Sequence, residues 1–157
     1  MSGLIWAYCG VAVAVLLSGI GSAIGVAMAG QAGSGLVAEH PEHFSKVLTL
    51  EALPGTQGIY GFLVAVLLMA LKLGTFGGEL PDISLIAGVQ IFLGCLPIGV
   101  VGLLSAIYQG RVAVSAIHMV ARRPAESGKG ITMTVMVETY AVLAFLTSLL
   151  SVIFIQV

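Results

Sequence analysis

The sequence predicts an all-α membrane protein in which four transmembrane helices form two tandem hairpins of the same orientation. Hydrophobic residues make up 59% of the 157 residues and charged residues only 8%, whereas a soluble domain has about 25% charged residues. Charged residues separate four apolar runs, and the two halves of the chain resemble each other. A transmembrane β-barrel would instead show short alternating segments. The net charge of −1 gives no sign of a nucleic-acid partner.

Four apolar runs define the predicted helices. Each holds roughly the 20 apolar residues that a membrane helix needs. The third run continues toward Met119 if Arg111 extends its head to the membrane surface. In the first run, the spacing of Gly21 and Gly25 favours tight helix packing over a nucleotide-binding loop. The runs are Leu4 to about Ala29, Ala52 to Leu71, Ile83 to Gly110, and Ile131 to Val157.

The links between the runs predict how the chain lies in the membrane. The middle link, Gly74–Ser84, is acidic, whereas the third link, His118–Gly130, has an excess of arginine and lysine. The first link, Gly30–Glu51, is mixed and uninformative. By the positive-inside rule, the first and third links face the cytoplasm of a multi-pass cell-membrane protein. Both termini and the middle link then face outward.

A repeat divides the chain into two predicted units, 1–80 and 81–157, each a helical hairpin. The repeats lie about 80 to 87 residues apart, and two helices separate their starts. Both units therefore have the same orientation, unlike the inverted repeats of many transporters. The matching segments are Leu16–Ile20 with Leu103–Ile107, His40–Glu42 with Arg123–Glu126, and Gln57–Tyr60 with Val137–Tyr140.

Glu138 is the only charged residue of the fourth run. An ionised carboxylate at hydrocarbon depth costs about 2.5–3.5 kcal/mol, so it needs a partner, a proton or a bound cation. The second and third runs offer Thr56, Gln57 and Gln109 at comparable depth in the cytoplasmic half of the membrane. These side chains predict an ion site around the acid.

The second run presents its polar groups on one face. Leu53, Thr56, Gln57 and Tyr60 stand at i, i+3, i+4 and i+7 of a helix. Pro54 has no N–H group, so a backbone carbonyl near it is expected to be free. Tyr60 is expected either to donate its hydroxyl to the carboxylate and close the site or to serve only in packing.

Carboxamide, hydroxyl, carboxylate and carbonyl oxygens are the ligands that hard cations prefer. A proton needs only one acceptor, so this number of oxygens favours Na⁺, with H⁺ as the alternative. A second interpretation is that Thr56, Gln57 and Gln109 only hydrogen-bond between helices. Glu138 at the same level favours the ion site over that interpretation.

Cysteines and histidines carry no predicted metal chemistry. Cys9 and Cys95 lie inside apolar runs and are expected to be free small hydrophobes. His40, His43 and His118 lie beside links without zinc-site spacing and are expected to be solvated.

Three motifs, in the right order, resemble the four-helix proteolipid subunit of V-type ATPases, and more narrowly subunit K of bacterial sodium-translocating V-type ATPases. They are the Leu-Pro-Gly-Thr-Gln-Gly-Ile-Tyr-Gly-Phe run (Leu53–Phe62), the Tyr-Gln-Gly-Arg-Val run (Tyr108–Val112) and the Val-Glu-Thr-Tyr-Ala run (Val137–Ala141). The resemblance implies a ring of identical subunits, with the first and third helices inside and the second and fourth outside. It also implies which groups hold the ion: the Leu53 carbonyl, Thr56, Gln57, Gln109 and Glu138, with Tyr60 hydrogen-bonded to Glu138.

The same resemblance implies a rotor without a catalytic site of its own. Glu138 would carry Na⁺ through lipid, an arginine of a stator subunit would displace the ion, and central-stalk subunits would transmit ATP-driven rotation. The first alternative is the same rotor with H⁺. The second is a small dimeric drug/proton antiporter, which would need an aromatic-lined cavity beside Glu138. A purely structural spacer would give no reason for Glu138.

Overall fold

The computed structural model describes residues 2–74 and 81–156. Within these residues the chain is helical almost throughout. Glu79, one of the acidic residues of the middle link on which the predicted orientation depends, lies outside the described residues. Val157, at the end of the fourth run, also lies outside them. The helices are α1 (Ser2–Glu39), α2 (Phe44–Ala52), α3 (Thr56–Leu71), α4 (Leu85–Arg122) and α5 (Ser127–Phe154), and short 3₁₀ turns cover Pro41–His43, Leu53–Gly55 and Pro124–Glu126.

Four helical segments of the described chain are long and apolar enough to cross a membrane. They confirm the predicted all-α membrane architecture. Two of them join a 3₁₀ turn to the helix or helices that follow it. The segments are Ser2–Glu39, Pro41–Leu71, Leu85–Arg122 and Pro124–Phe154.

The predicted helices were too short on the side of the first and third links, although the continuation of the third run toward Met119 agrees with α4, which ends at Arg122. Helix α1 continues ten residues beyond Ala29, and the second helical segment is already helical from Phe44. Most of each predicted link is therefore helix. Charged residues mark where a chain leaves hydrocarbon, but they do not end a helix. A 38-residue helix such as α1 is about 57 Å long, far more than the roughly 30 Å of a bilayer core.

Proline sets the actual ends of α1 and α4. His40 precedes Pro41 and has φ −133°, ψ 74°, and Arg123 precedes Pro124 with φ −142°, ψ 77°. The ring of a proline disfavours helical geometry in the residue before it. Each long helix therefore ends two residues before the proline, and a single 3₁₀ turn leads into the next helix.

Helices α1 and α4 lie side by side along most of their length, α3 packs on α1, and α5 packs on α4. Two facing glycines permit the close approach of α1 and α4. A Cβ atom added at Gly110 would lie 2.6 Å from the Cα atom of Gly25, so neither helix tolerates a side chain there. The expectation that Gly25 serves close packing is confirmed.

The two hairpins repeat with a constant offset. Every element of the second hairpin begins 83 residues after its counterpart: Ser2 and Leu85, Pro41 and Pro124, Phe44 and Ser127. The sequence pairings at offsets near 80 and 87 were therefore wrong by about one helical turn; Ser105, for example, corresponds to Ser22 and not to Ser18. With the correct offset, the counterpart of Glu138 is Gly55. The division of the chain at residue 80 stays a prediction.

Candidate ion-binding site

A break between α2 and α3 shapes one wall of the candidate site. Pro54 lies in the 3₁₀ turn Leu53–Gly55, and it is buried. The Leu53 carbonyl accepts the Thr56 N–H and also the Thr56 hydroxyl, with an Oγ1···O distance of 2.9 Å. A free carbonyl was predicted near Pro54, but the Leu53 carbonyl already accepts two hydrogen bonds. One of its two donors is a hydroxyl that can rotate away.

Two glutamines at the centre of the protein have no exposed surface. Gln57 and Gln109 both have a relative exposure of 0%. Gln57 Nε2 donates to Gln109 Oε1, and Gln109 Nε2 donates to the Thr134 carbonyl at 3.1 Å. These bonds connect α3, α4 and α5 in one continuous chain. Because buried amides are costly unless hydrogen-bonded, the bonds also fix both side chains.

Glu138 is bound to α3 by a second connection. The Tyr60 hydroxyl donates to Glu138 Oε1 at 2.5 Å, and the Tyr60 ring packs on Phe145 with ring centroids 5.4 Å apart. Tyr60 thus has both of the roles considered for it, as a hydrogen-bond donor and in packing.

The two connections lie one helical turn apart. Thr134 precedes Glu138 by four residues on α5, and Gln57 precedes Tyr60 by three on α3. A rise of 1.5 Å per residue separates the two levels by about 6 Å or less. The structure therefore brings Thr56, Gln57, Gln109, Tyr60 and Glu138 into one region between α3, α4 and α5, with the Leu53 carbonyl directly beside Thr56.

The outer side of Glu138 borders an apolar surface. The carboxylate is partly exposed, and the shallow depression beside it is lined by Val135, Thr139, Val142 and Leu143, all from α5. No aromatic side chain lines this depression. The aromatic cavity that a drug antiporter would need is therefore absent here within the described residues.

Glu138 has no basic partner in the described parts of the chain. Close contacts between acidic and basic side chains there include those of Glu42 with His40 and His43, and that of Glu126 with Lys129. A carboxylate at membrane depth without a basic partner must gain a proton or a cation to become neutral. The surrounding donors are oxygens, which suit a hard cation.

Two residues that support the site were missed in the sequence. Thr134 is fully buried, and its carbonyl orients Gln109. Because the acceptor is a backbone carbonyl, no residue type in the sequence signals it. Ser22 of α1 accepts the Gly58 N–H at 2.8 Å and so holds the first turn of α3. Because Ser22 lies in a run of small residues that indicated only close helix packing, the sequence did not predict this role.

Comparison with known proteins gives the same two-part pattern. The family model that describes the C subunit of ATP synthase matches the chain twice, over residues 9–68 and 92–151. The chain is 43% identical to V-type sodium ATPase subunit K of Enterococcus hirae, over 96% of this chain and 92% of that protein. It is 35% identical to A-type ATP synthase subunit K of Methanocaldococcus jannaschii, over 94% of this chain but only 61% of that protein.

Proposed function

Because the chain belongs to the family of the ATP synthase C subunit, as a rotor proteolipid of a V/A-type ATPase, we propose that it carries Na⁺ through the membrane on Glu138. The chain is an ion-translocating and non-catalytic part of the pump, and ATP is hydrolysed in other subunits. Identical copies form the rotor ring, in which α1 and α4 form the inner layer.

The observation that carries the proposal is the set of oxygens around an acid without a basic partner. Thr56 Oγ1, Gln57 Oε1, Gln109 Oε1 and the Leu53 carbonyl lie about one to two helical turns from the Tyr60–Glu138 bond, and no nitrogen cation competes for the carboxylate within the described residues. A proton on Glu138 would need only one acceptor, whereas a cation uses several oxygens, and this region offers four besides the carboxylate. The name of the Enterococcus hirae relative, a sodium ATPase subunit, agrees with this choice of ion.

The ligand groups can turn toward a cation with small movements. Rotation of the Thr56 hydroxyl frees a lone pair on Leu53 O, and Gln57 Oε1 accepts only a long contact of 3.4 Å from Thr56. Gln109 is held from behind by the Thr134 carbonyl, so its Oε1 keeps its direction. A bound Na⁺ would neutralise Glu138 and so remove the electrostatic penalty of carrying it past lipid.

Release of the ion requires a competing positive charge. We assign this role to an arginine of a stator subunit, which pairs with Glu138 when the rotor brings the apolar surface of α5 against that subunit. Central-stalk subunits turn the ring from the cytoplasmic side. In this arrangement ATP hydrolysis moves Na⁺ out of the cell.

Carbodiimide labelling tests the acid and the ion together. A hydrophobic carbodiimide reacts with a carboxyl group in the membrane, so Glu138 should be labelled in the purified assembly and the Glu138→Gln variant should not. The Glu51→Gln variant, which removes an acid outside the network, should label like the natural protein. Na⁺ should slow the labelling, whereas choline at the same ionic strength should not. Equal labelling in both salts would assign the carrier to H⁺ instead.

The carboxamides need their own test, because they could act only as hydrogen bonds between helices. The Gln57→Leu variant should still be labelled at Glu138 but should lose protection by Na⁺. If the variant melts at a lower temperature and keeps full protection by Na⁺, Gln57 has only a packing role.

We also propose the orientation expected from the charge pattern, with the first and third links in the cytoplasm. Single cysteines placed at Ser127 and at Ser84, in a chain in which Cys9 and Cys95 are replaced by serine, test it in intact cells. A membrane-impermeant maleimide should label the cysteine at position 84 and spare the one at position 127. Labelling of position 127 alone would reverse the orientation.

A further inference from the structure

A cluster of metal-binding side chains lies at the turn between α1 and α2, away from the Glu138 region. His40 Nδ1 lies 3.3 Å from Glu42 Oε1, and His43 Nε2 lies 3.9 Å from the same oxygen. One ligand atom from each of the three residues lies within 4.8 Å of the other two. The rings of His40 and His43 are stacked, with centroids 5.7 Å apart.

The backbone of the turn brings these side chains together. The His43 N–H donates to the His40 carbonyl at 3.1 Å, which closes a turn of the 3₁₀ type. In such a turn, side chains three residues apart lie above one another. The two imidazoles therefore share one side of the turn, and the Glu42 carboxylate reaches between them. The histidines were predicted to be only solvated, since their spacing matches no common zinc motif.

The separation of the three ligand atoms suits a small transition-metal ion. Zinc binds imidazole nitrogen and carboxylate oxygen at about 2.0–2.2 Å, so neighbouring ligands of a tetrahedral ion lie about 3.3 Å apart. The distance from His40 to Glu42 has this value, and the distance from His43 to Glu42 exceeds it by an amount that side-chain rotation can remove. Two histidines and one carboxylate also form a known donor set of zinc, with the fourth position open to water.

We propose that His40, Glu42 and His43 bind one divalent transition-metal ion of the Zn²⁺ class. The site is independent of the proposed Na⁺ site, because it uses imidazole nitrogens and lies on an exposed turn. Two of the three ligands, His40 and Glu42, are at least half exposed, so the ion can enter from solvent. A bound ion would join the end of α1 to the start of α2. Lys46 already connects α2 to the other turn through the Pro124 carbonyl at 2.9 Å.

The duplication predicts one such ion per chain. With the offset of 83 residues, the counterparts of His40, Glu42 and His43 are Arg123, Ala125 and Glu126. The second turn thus has no imidazole and an arginine in place of the first ligand. In each copy of the chain, only the first turn can hold the ion.

Titration of the purified membrane assembly with Zn²⁺ tests the proposal. In detergent, without chelators, we expect one Zn²⁺ per chain by calorimetry, and Co²⁺ at the same site should give the strong visible absorption of a tetrahedral complex. The His40→Gln, Glu42→Gln and His43→Gln variants should each lower the affinity at least about tenfold. The control is His118→Gln, which removes an exposed histidine outside the cluster and should leave the titration unchanged.

Two outcomes would overturn the proposal: the natural protein does not bind one ion per chain, or the His40→Gln and His43→Gln variants bind Zn²⁺ as tightly as the natural protein does. The same samples are assayed for Na⁺ protection of Glu138 against carbodiimide. Retained protection shows that a variant is folded. Loss of Zn²⁺ binding and loss of Na⁺ protection are therefore measured independently in the same samples.

Discussion

At the scale of single residues, the central fact is a carboxylate whose protein partners cannot carry its charge alone. Burial of Glu138 costs about 2.5–3.5 kcal/mol, whereas a hydrogen bond to a charged group returns about 1.5–3 kcal/mol. Tyr60 supplies one such bond. This bond offsets much of the cost but leaves the net negative charge, which calls for a cation that the oxygens of Thr56, Gln57 and Gln109 can share.

Replacement of Tyr60 by phenylalanine tests how the carboxylate is positioned. The variant keeps the ring on Phe145 but loses the hydroxyl that holds Glu138 Oε1. We expect the Na⁺ concentration for half-protection against carbodiimide to rise about tenfold, a loss of about 1.4 kcal/mol. Tyr140→Phe is the control, because Tyr140 is 66% exposed and lies two residues from Glu138. Equal shifts in both variants would deny Tyr60 a specific role.

The sequence was informative about these residues because polar groups in apolar runs are rare and easily recognised. Thr56, Gln57, Gln109 and Glu138 could be singled out by residue type and depth alone. The Thr134 carbonyl could not, because a backbone acceptor has no signature in sequence. The state of the Leu53 carbonyl was also missed, since the 3₁₀ turn lets the N–H and hydroxyl of one residue reach it together.

At the scale of helices, α1 supports the site although it supplies no ligand to it. Ser22 accepts the Gly58 N–H, and Gly25 leaves room for the buried ring of Pro54. The break between α2 and α3 is therefore held against α1 at two points one turn apart. The position of Leu53 and Thr56 depends on this contact.

Addition of one methyl group at Gly25 should disturb the site from a distance. A Cβ atom there would clash with the Ala106 carbonyl of α4 and would lie 2.7 Å from Pro54 Cβ, so α1 must move away from both α4 and the 3₁₀ turn. Overpacking of this kind costs about 1–3 kcal/mol. We expect Gly25→Ala to lower the melting temperature of the assembly and to weaken Na⁺ protection of Glu138.

The matched control for Gly25→Ala is Gly35→Ala, on the same helix. No atom lies within 4 Å of a Cβ atom added at Gly35. Both changes raise helix propensity by about 1 kcal/mol, so Gly35→Ala should be neutral or stabilising. If both variants kept the natural melting temperature and Na⁺ protection, the close packing of Gly25 on Ala106 and Pro54 would not matter for the site.

The number of helices could be predicted from hydropathy, whereas their ends could not. Apolar runs report the thickness of the membrane, and α1 and α4 extend well beyond it. Their ends depend on the residues before Pro41 and Pro124. These prolines are present in the sequence, but each helix was assumed to end at the end of its apolar run.

At the scale of the whole molecule, the protein has two equivalent hairpins and only one acid site. Approximate similarity between motifs was enough to detect the duplication, yet it gave offsets that differed by a helical turn. The element boundaries fix the offset at 83 residues. The acid of the second hairpin then corresponds to Gly55, Gln109 corresponds to Val26, and Gln57 to Tyr140. The site that would be equivalent to that of Glu138 thus lacks both the acid and the two carboxamides.

Restoration of the acid at Gly55 should therefore not restore an ion site. A Cβ atom at this position would lie 3.5 Å from Val26 Cγ2, so the new side chain would face a methyl group where Glu138 has a carboxamide nearby. In the Gly55→Glu variant we expect one Na⁺ per chain in equilibrium binding, as in the natural protein. The second carboxyl should react with carbodiimide at a rate that Na⁺ does not change. The unpaired acid should also lower stability, by an amount on the order of 2.5–3.5 kcal/mol. Binding of two Na⁺ per chain would mean that the acid alone makes the site and that the oxygens of Gln57 and Gln109 are dispensable.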